Sequence, residues 1–226
     1  MPGPLVLGLD GYRRGWVCVA LRDGHVEAAL AAASFDALML AFPGAAAVGV
    51  DMPFALAYRG PRRADGAARA FVGPRASSVF SVPPAPALAA ASHAEAVIIA
   101  RANGGPAPSA QCYALFPKIR EVRAMLGRRS TLYEVHPEVS FRALAGPSAE
   151  GLPPKRTWNG LRARLAALQS AGLVLPAVAG GDPPADDVVD AAVVAWSAAR
   201  IVAGTALTLP GDPTPEERAA NMLVWY

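Results

Sequence analysis

Three short apolar runs near the start of the chain are typical of β-strands. The first, Leu5–Asp10, is apolar up to a terminal acid, which is the pattern of a buried central strand. Gly-containing turn chemistry follows it, and the strong hairpin signal Asp23-Gly24 separates Trp16–Leu21 from His25–Leu30. Because such short turns join antiparallel neighbours, the sequence predicts a chain that begins with three antiparallel strands.

A helix and a fourth strand come next. Ser34 is a good N-cap for a short helix over Phe35–Phe42, which Pro43-Gly44 ends. Ala46–Asp51 then repeats the pattern of the first strand, a small apolar run that ends in an acid. A helix between strands three and four indicates a crossover, which would lay the fourth strand parallel to the first.

Residues 54–127 differ from the rest of the chain in composition. They are dense in Pro, Gly, Ser and Arg, with helical patterns at Arg63–Phe71 and His93–Asn103. The segment has too few large apolar residues for a core of its own. We therefore interpret it as a Pro/Arg-rich insertion folded over the sheet, within a single domain that spans residues 1–226.

The remainder of the chain predicts two strands and two helices. These are a strand over Thr131–His136 that Pro137 stops, a helix capped by Thr157 that runs through Ala171, a helix over Asp187–Ala203 capped by Asp186, and a terminal strand over Met222–Tyr226. The order of elements predicts an α/β fold with a mixed sheet, which differs from the alternating order of a doubly wound sheet.

Composition narrows the class of protein. Hydrophobic residues make up 53% of the chain and charged residues 17%, which excludes extensive disorder. No apolar stretch of about 18 residues lacks charge, Pro or Gly, so we expect no membrane span and no membrane partner. The opening MPGPLVLGLD has no basic start, so we expect no signal peptide and, by default, a cytoplasmic location.

Cysteine content and net charge narrow the class of protein only slightly. Cys18 and Cys112 are the only cysteines, and two isolated thiols are expected to be reduced and structural. The formal charge of +3 and the sequence pI near 9.1 give a mild preference for acidic partners such as nucleic acid.

Five acids stand at positions where a carboxylate needs an explanation. Asp10 and Asp51 each end an apolar strand and, if the strands are parallel neighbours, emerge at the same sheet edge. Asp187 and Asp190 lie one turn apart on an apolar helix, where a buried acid is costly unless it is compensated. Glu134 on the fifth strand is likewise an acid that needs compensation if it is buried. Turn chemistry for the strand acids and a helix-dipole role for Asp187 remain structural alternatives.

Acids that converge at one point repel one another. Either some of them take up protons with raised pKa, or a cation neutralises them. Clusters of oxygen ligands suit the hard cations Mg²⁺, Mn²⁺ and Ca²⁺. Two Mg²⁺ ions bridged by a carboxylate drive in-line phosphodiester hydrolysis, because one lowers the pKa of the attacking water and the other stabilises the leaving oxygen.

Several fragments together resemble a known family. The chain contains, in this order, GLDGYRRGW, VDMPFAL, SSVFSVP, EVHPEVSF, KRTWNGLRARL and DDVVDAAVVAWSAAR. Over about residues 5–226 it resembles the domain-of-unknown-function family 429, predicted nucleases of the ribonuclease H-like fold related to Holliday-junction resolvases and retroviral integrases. The combination of EVHPE with DDxxDA is the most specific part. The chain departs from the family pattern at Tyr12 and Arg14.

The resemblance implies a ribonuclease H-like mixed five-stranded sheet with flanking helices. It also implies that Asp10 is the acid of the first strand, that Asp51 is the acid of the fourth strand, and that Asp187 and Asp190 are the pair on the last helix. These four are the expected ligands of Mg²⁺ or Mn²⁺. Glu134 lies in the family's own EVHPE motif and is expected to act as an auxiliary ligand or to position a water.

Candidate substrate contacts follow from the same resemblance. Ser78, Gln111 and Lys118 are expected to line the substrate cleft. We interpret Trp158 as core or cleft wall, because stacking on bases needs an exposed ring. A cluster of arginines in the insertion could track a phosphate backbone or form a solvated loop; its members are Arg59, Arg62, Arg63, Arg69 and Arg75.

The leading hypothesis is a Mg²⁺- or Mn²⁺-dependent nuclease that acts on DNA or RNA. One alternative is a non-catalytic ribonuclease H-like domain that binds nucleic acid or protein. Another is an actin-like nucleotide-binding phosphotransferase, which would need a second phosphate loop and an adenosine site. The sequence leaves a homodimer open.

Overall fold

The centre of the molecule is a five-stranded sheet. The computed structural model describes residues 2–128, 131–146 and 152–226. Its strands lie in the order β3-β2-β1-β4-β5, with β1–β3 antiparallel and with β4 and β5 parallel to β1. They are β1 (Leu5–Tyr12), β2 (Gly15–Arg22), β3 (His25–Ala32), β4 (Ala47–Asp51) and β5 (Leu132–Glu134). This confirms the predicted mixed sheet and is consistent with the ribonuclease H-like fold.

Helices flank the sheet on both faces. They are α1 (Phe35–Ala41), α2 (Arg63–Val72), α3 (His93–Ala102), α4 (Ala110–Ala114), α5 (Phe116–Arg123), α6 (Pro137–Ala145), α7 (Trp158–Ser170), α8 (Ala185–Val202) and α9 (Pro215–Ala219). Two 3₁₀ turns, Gly73–Ser78 and Ala85–Ala89, and a hairpin of β6 (Thr208–Leu209) and β7 (Val224–Trp225) complete the described elements. The predicted ends of α1, α2, α3 and α7 agree with the structure to within one residue.

The structure corrects two predicted boundaries. Pro137 follows the fifth strand as expected, but it also begins α6, which the sequence pattern did not predict. Proline is well suited to the first helical position, where its missing N–H costs nothing. Asp186 is not a cap, because α8 begins at Ala185 after Pro184. Asp186 therefore lies in the first turn, where a negative charge complements the helix dipole.

The two faces of the sheet have separate cores. Alternate residues of a strand point to opposite faces, so β1 contributes to both. Leu7 and Leu9 pack with α1 and with the insertion, which supplies Phe54, Phe116 and Ile119 to this core. On the other face, β1 and β2 pack against α6, α7 and α8. The insertion therefore shares its hydrophobic core with the sheet.

Two glycines allow α8 to lie directly on the sheet. Gly8 of β1 and Gly49 of β4 are register partners. A Cβ at Gly8 would overlap the Ala191 carbonyl oxygen and lie 2.7 Å from the Ala195 Cα, and a Cβ at Gly49 would lie 2.8 Å from the Val194 Cγ1. Side chains at these two positions would push α8 away from the strands.

Cys18 and Cys112 are free and buried. Across the described ranges, no helix has both the length and the apolar composition that crossing a bilayer would require.

Candidate metal centre

Asp10 and Asp51 lie side by side at one end of the sheet. They are register partners in the parallel pair β1–β4. Each lies two residues beyond one of the paired glycines, so both side chains project from the face that α8 covers. Asp10 is only 6% exposed, and Asp51 is partly buried. The chain thus places two acids next to each other where a helix shields them from water.

Asp190 of α8 is the third member of this group. One carboxylate oxygen from each of Asp10, Asp51 and Asp190 lies within 4.8 Å of the other two. Oxygen ligands on opposite sides of one ion are separated by twice the metal–oxygen distance, about 4.2 Å for Mg²⁺ and about 4.8 Å for Ca²⁺. The spacing therefore fits coordination of one shared ion.

The two oxygens of Asp190 have different surroundings. Oδ2 accepts a hydrogen bond from the ammonium group of Lys155. Oδ1 is buried and has no hydrogen-bond partner among the residues that the structure describes. Leaving a buried carboxylate oxygen without a partner is costly. A divalent cation between the three acids would remove this cost, so the residues present fit such an ion.

Burial and mutual repulsion raise the pKa values of the acids. Burial raises the pKa of Asp10 well above its ordinary value, and the charges of Asp51 and Asp190 raise it further. Burial likewise raises the pKa of Asp51 to about 7 and that of Asp190 to about 6, although Lys155 lowers both. Lys155 therefore compensates only part of the negative charge, and the metal-free cluster holds protons near neutral pH.

Asp187 lies at the edge of this group. It precedes Asp190 by one turn of α8 and lines the same cavity. Burial and the charge of Asp186 raise its pKa to about 6. The described set of oxygens within 4.8 Å of one another comprises Asp10, Asp51 and Asp190. The role of Asp187 as a fourth ligand stays a prediction.

Glu134 lines the same cavity but is held by an arginine. Its Oε1 and Oε2 each accept a hydrogen bond of 2.7 Å from the guanidinium of Arg62. Arg62 also donates to Oδ1 of Asp65, and all three side chains are buried. Burial raises the pKa of Glu134 while Arg62 lowers it. This geometry favours a structural role over the auxiliary ligand expected from the sequence.

The candidate substrate contacts separate into two groups. Ser78 and Gln111 line the cavity of about 340 Å³ next to the acids. Lys118 and Arg69 are absent from that lining. The Lys118 ammonium donates a hydrogen bond of 2.6 Å to the Gly15 carbonyl, and the Arg69 guanidinium donates to a backbone carbonyl of the insertion.

Most of the insertion arginines make contacts within the protein. Arg62 binds Glu134, and Arg63 forms ion pairs of 2.9 Å with Asp212 and Glu217. Arg75 donates a hydrogen bond to a backbone carbonyl near α7. The structure thus uses these arginines to attach the insertion to the rest of the fold, which argues against the phosphate track considered from the sequence.

Sequence reasoning missed two residues that line the cavity. Lys155 is one of only two lysines in the chain, but nothing in its spacing connects it with Asp190. Glu138 follows the fifth strand and forms an ion pair of 2.6 Å with the buried Arg164 of α7. In both cases the partner lies far away in sequence, so no local pattern reveals the pair.

His136 of the EVHPE motif also lines the cavity. Its Nε2 lies 3.2 Å from the Ser78 carbonyl, to which it donates, and its Nδ1 is buried without a partner among the described residues. Burial lowers its pKa, which favours the neutral form of the ring. It lies on the cavity wall and outside the three-acid group.

The sheet topology and the acids beneath α8 define an α/β domain with a carboxylate cluster, and its mixed five-stranded sheet is consistent with the ribonuclease H-like fold. Residues 8–215 match the model of the family described as "Protein of unknown function (DUF429)", and the chain belongs to this family. The resemblance inferred from the motifs is therefore confirmed at the level of the family. Comparisons with curated proteins and with solved structures gave no significant match.

Proposed function

We propose that the protein is a Mg²⁺- or Mn²⁺-dependent phosphodiesterase that cleaves nucleic acid. The observation that carries this proposal is the group of Asp10, Asp51 and Asp190, whose oxygens lie within 4.8 Å of one another. Within residues 2–128, 131–146 and 152–226, no arginine or lysine forms an ion pair with Asp10 or Asp51. Turn or helix-dipole roles give no reason for three acids to converge in a buried place.

Each side chain at the site would have its own role in this reaction. Asp10, Asp51 and Asp190 would hold the ion, with Asp187 as the next carboxylate in reach. A bound divalent ion lowers the pKa of a water nucleophile and stabilises charge on the leaving oxygen. Lys155 holds Oδ2 of Asp190, so that Oδ1 stays available. DNA or RNA as substrate and a cytoplasmic location belong to the proposal.

Neutralising single acids tests this assignment. Asp10→Asn and Asp190→Asn keep the size of the side chain and remove its charge. Loss of residues that only orient ligands costs about 10- to 100-fold, so loss of a ligand should reduce Mn²⁺ affinity and cleavage by at least about 100-fold. Calorimetric Mn²⁺ titration and cleavage of junction, flap, single-stranded and RNA substrates measure both.

The exposed Asp36 of α1 offers a matched control, and Asp36→Asn should behave like the parent. If either cluster variant cleaves as well as the parent protein, the assignment is wrong.

A second candidate is a nucleic-acid-binding domain without catalytic activity. The contact between Lys155 and Asp190 favours it, because an ammonium group already supplies positive charge at the cluster. In that case a crystal soaked in Mn²⁺ would show no ion among the acids, and substrates would be bound but not cleaved. Protection by nucleotide in a thermal-shift titration would instead favour the actin-like phosphotransferase.

A further inference from the structure

A second depression adjoins the acid cluster, and we name it the basic groove. It has a volume of about 1260 Å³ and is formed by the β1–β2 turn and by the starts of α7 and α8. Gly11, Lys155, Arg156 and Asp187 line both this groove and the cavity of the metal centre. A ligand bound at the acids could therefore continue into the groove.

Three arginines make the groove positive. Arg13, Arg14 and Arg156 line it and are exposed. Arg14 donates a hydrogen bond of 3.2 Å to a backbone carbonyl, and Arg156 lies 3.7 Å from Asp186 with 86% of its side chain exposed. An ion pair that is 3.7 Å long and has an exposed guanidinium contributes little, so a phosphate could compete for these arginines.

The groove also contains an exposed tryptophan. Trp158 is 72% exposed and lines the groove, so it is not a core residue, and of the two interpretations from the sequence only that of a cleft wall fits. It is the first residue of α7, whose N-cap Thr157 accepts a hydrogen bond from the Gly160 N–H. The Arg162 guanidinium lies 5.7 Å from the centre of its ring. The ring of Trp158 is thus exposed to solvent next to positively charged side chains.

Exposed rings and arginines together match one class of ligand. A base can stack on a tryptophan only when it is not stacked and paired within a duplex. Guanidinium groups bind the phosphates that connect successive bases. A duplex would use only the arginines of this groove and would leave the ring of Trp158 without a partner.

We infer that the basic groove binds a single-stranded segment of nucleic acid continuing from the phosphate at the metal centre. Trp158 stacks on an unpaired base, and Arg13, Arg14 and Arg156 contact the backbone. The inference rests on the proposed function for the position of the cleaved phosphate. Binding by stacking and by phosphate contacts tolerates many base sequences, so selectivity is for strandedness.

Fluorescence anisotropy with a labelled single-stranded 12-nucleotide probe and with its duplex tests the inference. Measuring in EDTA and again with Ca²⁺ separates binding from cleavage. We expect the parent protein to prefer the single strand. Trp158→Ala should weaken single-strand binding about 5- to 150-fold and leave duplex binding nearly unchanged, whereas Trp158→Phe should recover most of the loss.

Tyr58→Ala is the matched control, because Tyr58 is also 72% exposed and does not line the groove. It should bind both probes like the parent protein. The inference is overturned if Trp158→Ala binds the single strand as tightly as the parent does, or if the parent prefers the duplex. Circular dichroism melting establishes that each variant is folded.

The experiments give a different pattern of results if the proposed function, and not the groove assignment, is wrong. If calorimetry shows no Mn²⁺ binding to the acids while Trp158→Ala still loses the single strand, the protein is a binder and the groove assignment stands. If Mn²⁺ binds and Trp158→Ala has no effect, only the groove assignment fails. The two results are independent because the anisotropy measurement in EDTA needs no metal.

Discussion

Replacing Asp51 with Asn should stabilise the metal-free protein at pH 8. Burial raises the pKa of this carboxyl from 3.8 to about 7. A tenfold change in acidity corresponds to about 1.4 kcal/mol, so keeping Asp51 ionised in the folded state costs at most about 4 kcal/mol. Because Asp51 is partly exposed and its protonation depends on neighbouring acids, we expect a net gain of about 1–3 kcal/mol. For a chain of 226 residues this raises Tm by about 2–12 °C.

The gain in stability of Asp51→Asn over the parent should increase as pH rises. Near pH 4 the carboxyl of Asp51 is largely protonated in the folded protein and about half protonated in the unfolded chain, so its burial then costs little. As pH rises from about 4 to about 7, the unfolded chain ionises first and the folded state loses relative stability. The difference in Tm between Asp51→Asn and the parent should therefore be small at pH 4 and complete at pH 8.

Scanning calorimetry in EDTA and in Mn²⁺ measures both effects. At a Mn²⁺ concentration 100 times the Kd, binding should stabilise the parent protein by about 2.7 kcal/mol, and Asp51→Asn should lose most of this. Asp36→Asn serves as the control and should leave the Mn²⁺ response intact, with a change of at most about 0.5 kcal/mol. The reasoning fails if Asp51→Asn is less stable than the parent in EDTA at pH 8, or if it responds fully to Mn²⁺.

Two further variants test the support of the site. Gly8→Ala should displace α8, because the new Cβ would overlap the Ala191 carbonyl. We expect the free energy of unfolding, measured with denaturant, to fall by about 1–3 kcal/mol and Mn²⁺ binding to weaken. The control is Gly66→Ala in α2, which has open space around it and should leave stability unchanged or raise it. Glu134→Gln should cost about 1–3 kcal/mol by weakening the contact with Arg62, while Mn²⁺ affinity stays unchanged. Unchanged stability with reduced Mn²⁺ affinity would instead make Glu134 a ligand.

The sheet and its two acids could be predicted because their signals are local. Apolar runs that end in Asp10 and Asp51 mark the strands and their last residues, and the helix between them sets the parallel pairing. One further local signal was available. Both strands carry a glycine two residues before the acid, Gly8 and Gly49, which is where α8 comes close. A small residue on the face of the acid indicates that a helix lies against that face.

Contacts between residues distant in sequence could not be predicted. Lys155 and Arg62 each bind an acid of the cavity, but in the sequence both stand among other basic residues with no mark of burial. The exposure of Trp158 depends on how the turn before α7 is placed, whereas its hydrophobic character favoured burial. Local patterns report which face a residue occupies within its own element, and they do not report its partner across the fold.

A continuous line of hydrogen bonds fastens one wall of the cavity to the sheet. It runs from Glu134 of β5 through Arg62 to Asp65, whose second oxygen accepts the backbone N–H of Val82. Only residues 62–82 of the insertion take part in this tether. Substitutions at exposed positions beyond residue 85 that spare the core residues Phe116 and Ile119 could therefore change what the protein recognises without shifting the acids or this tether.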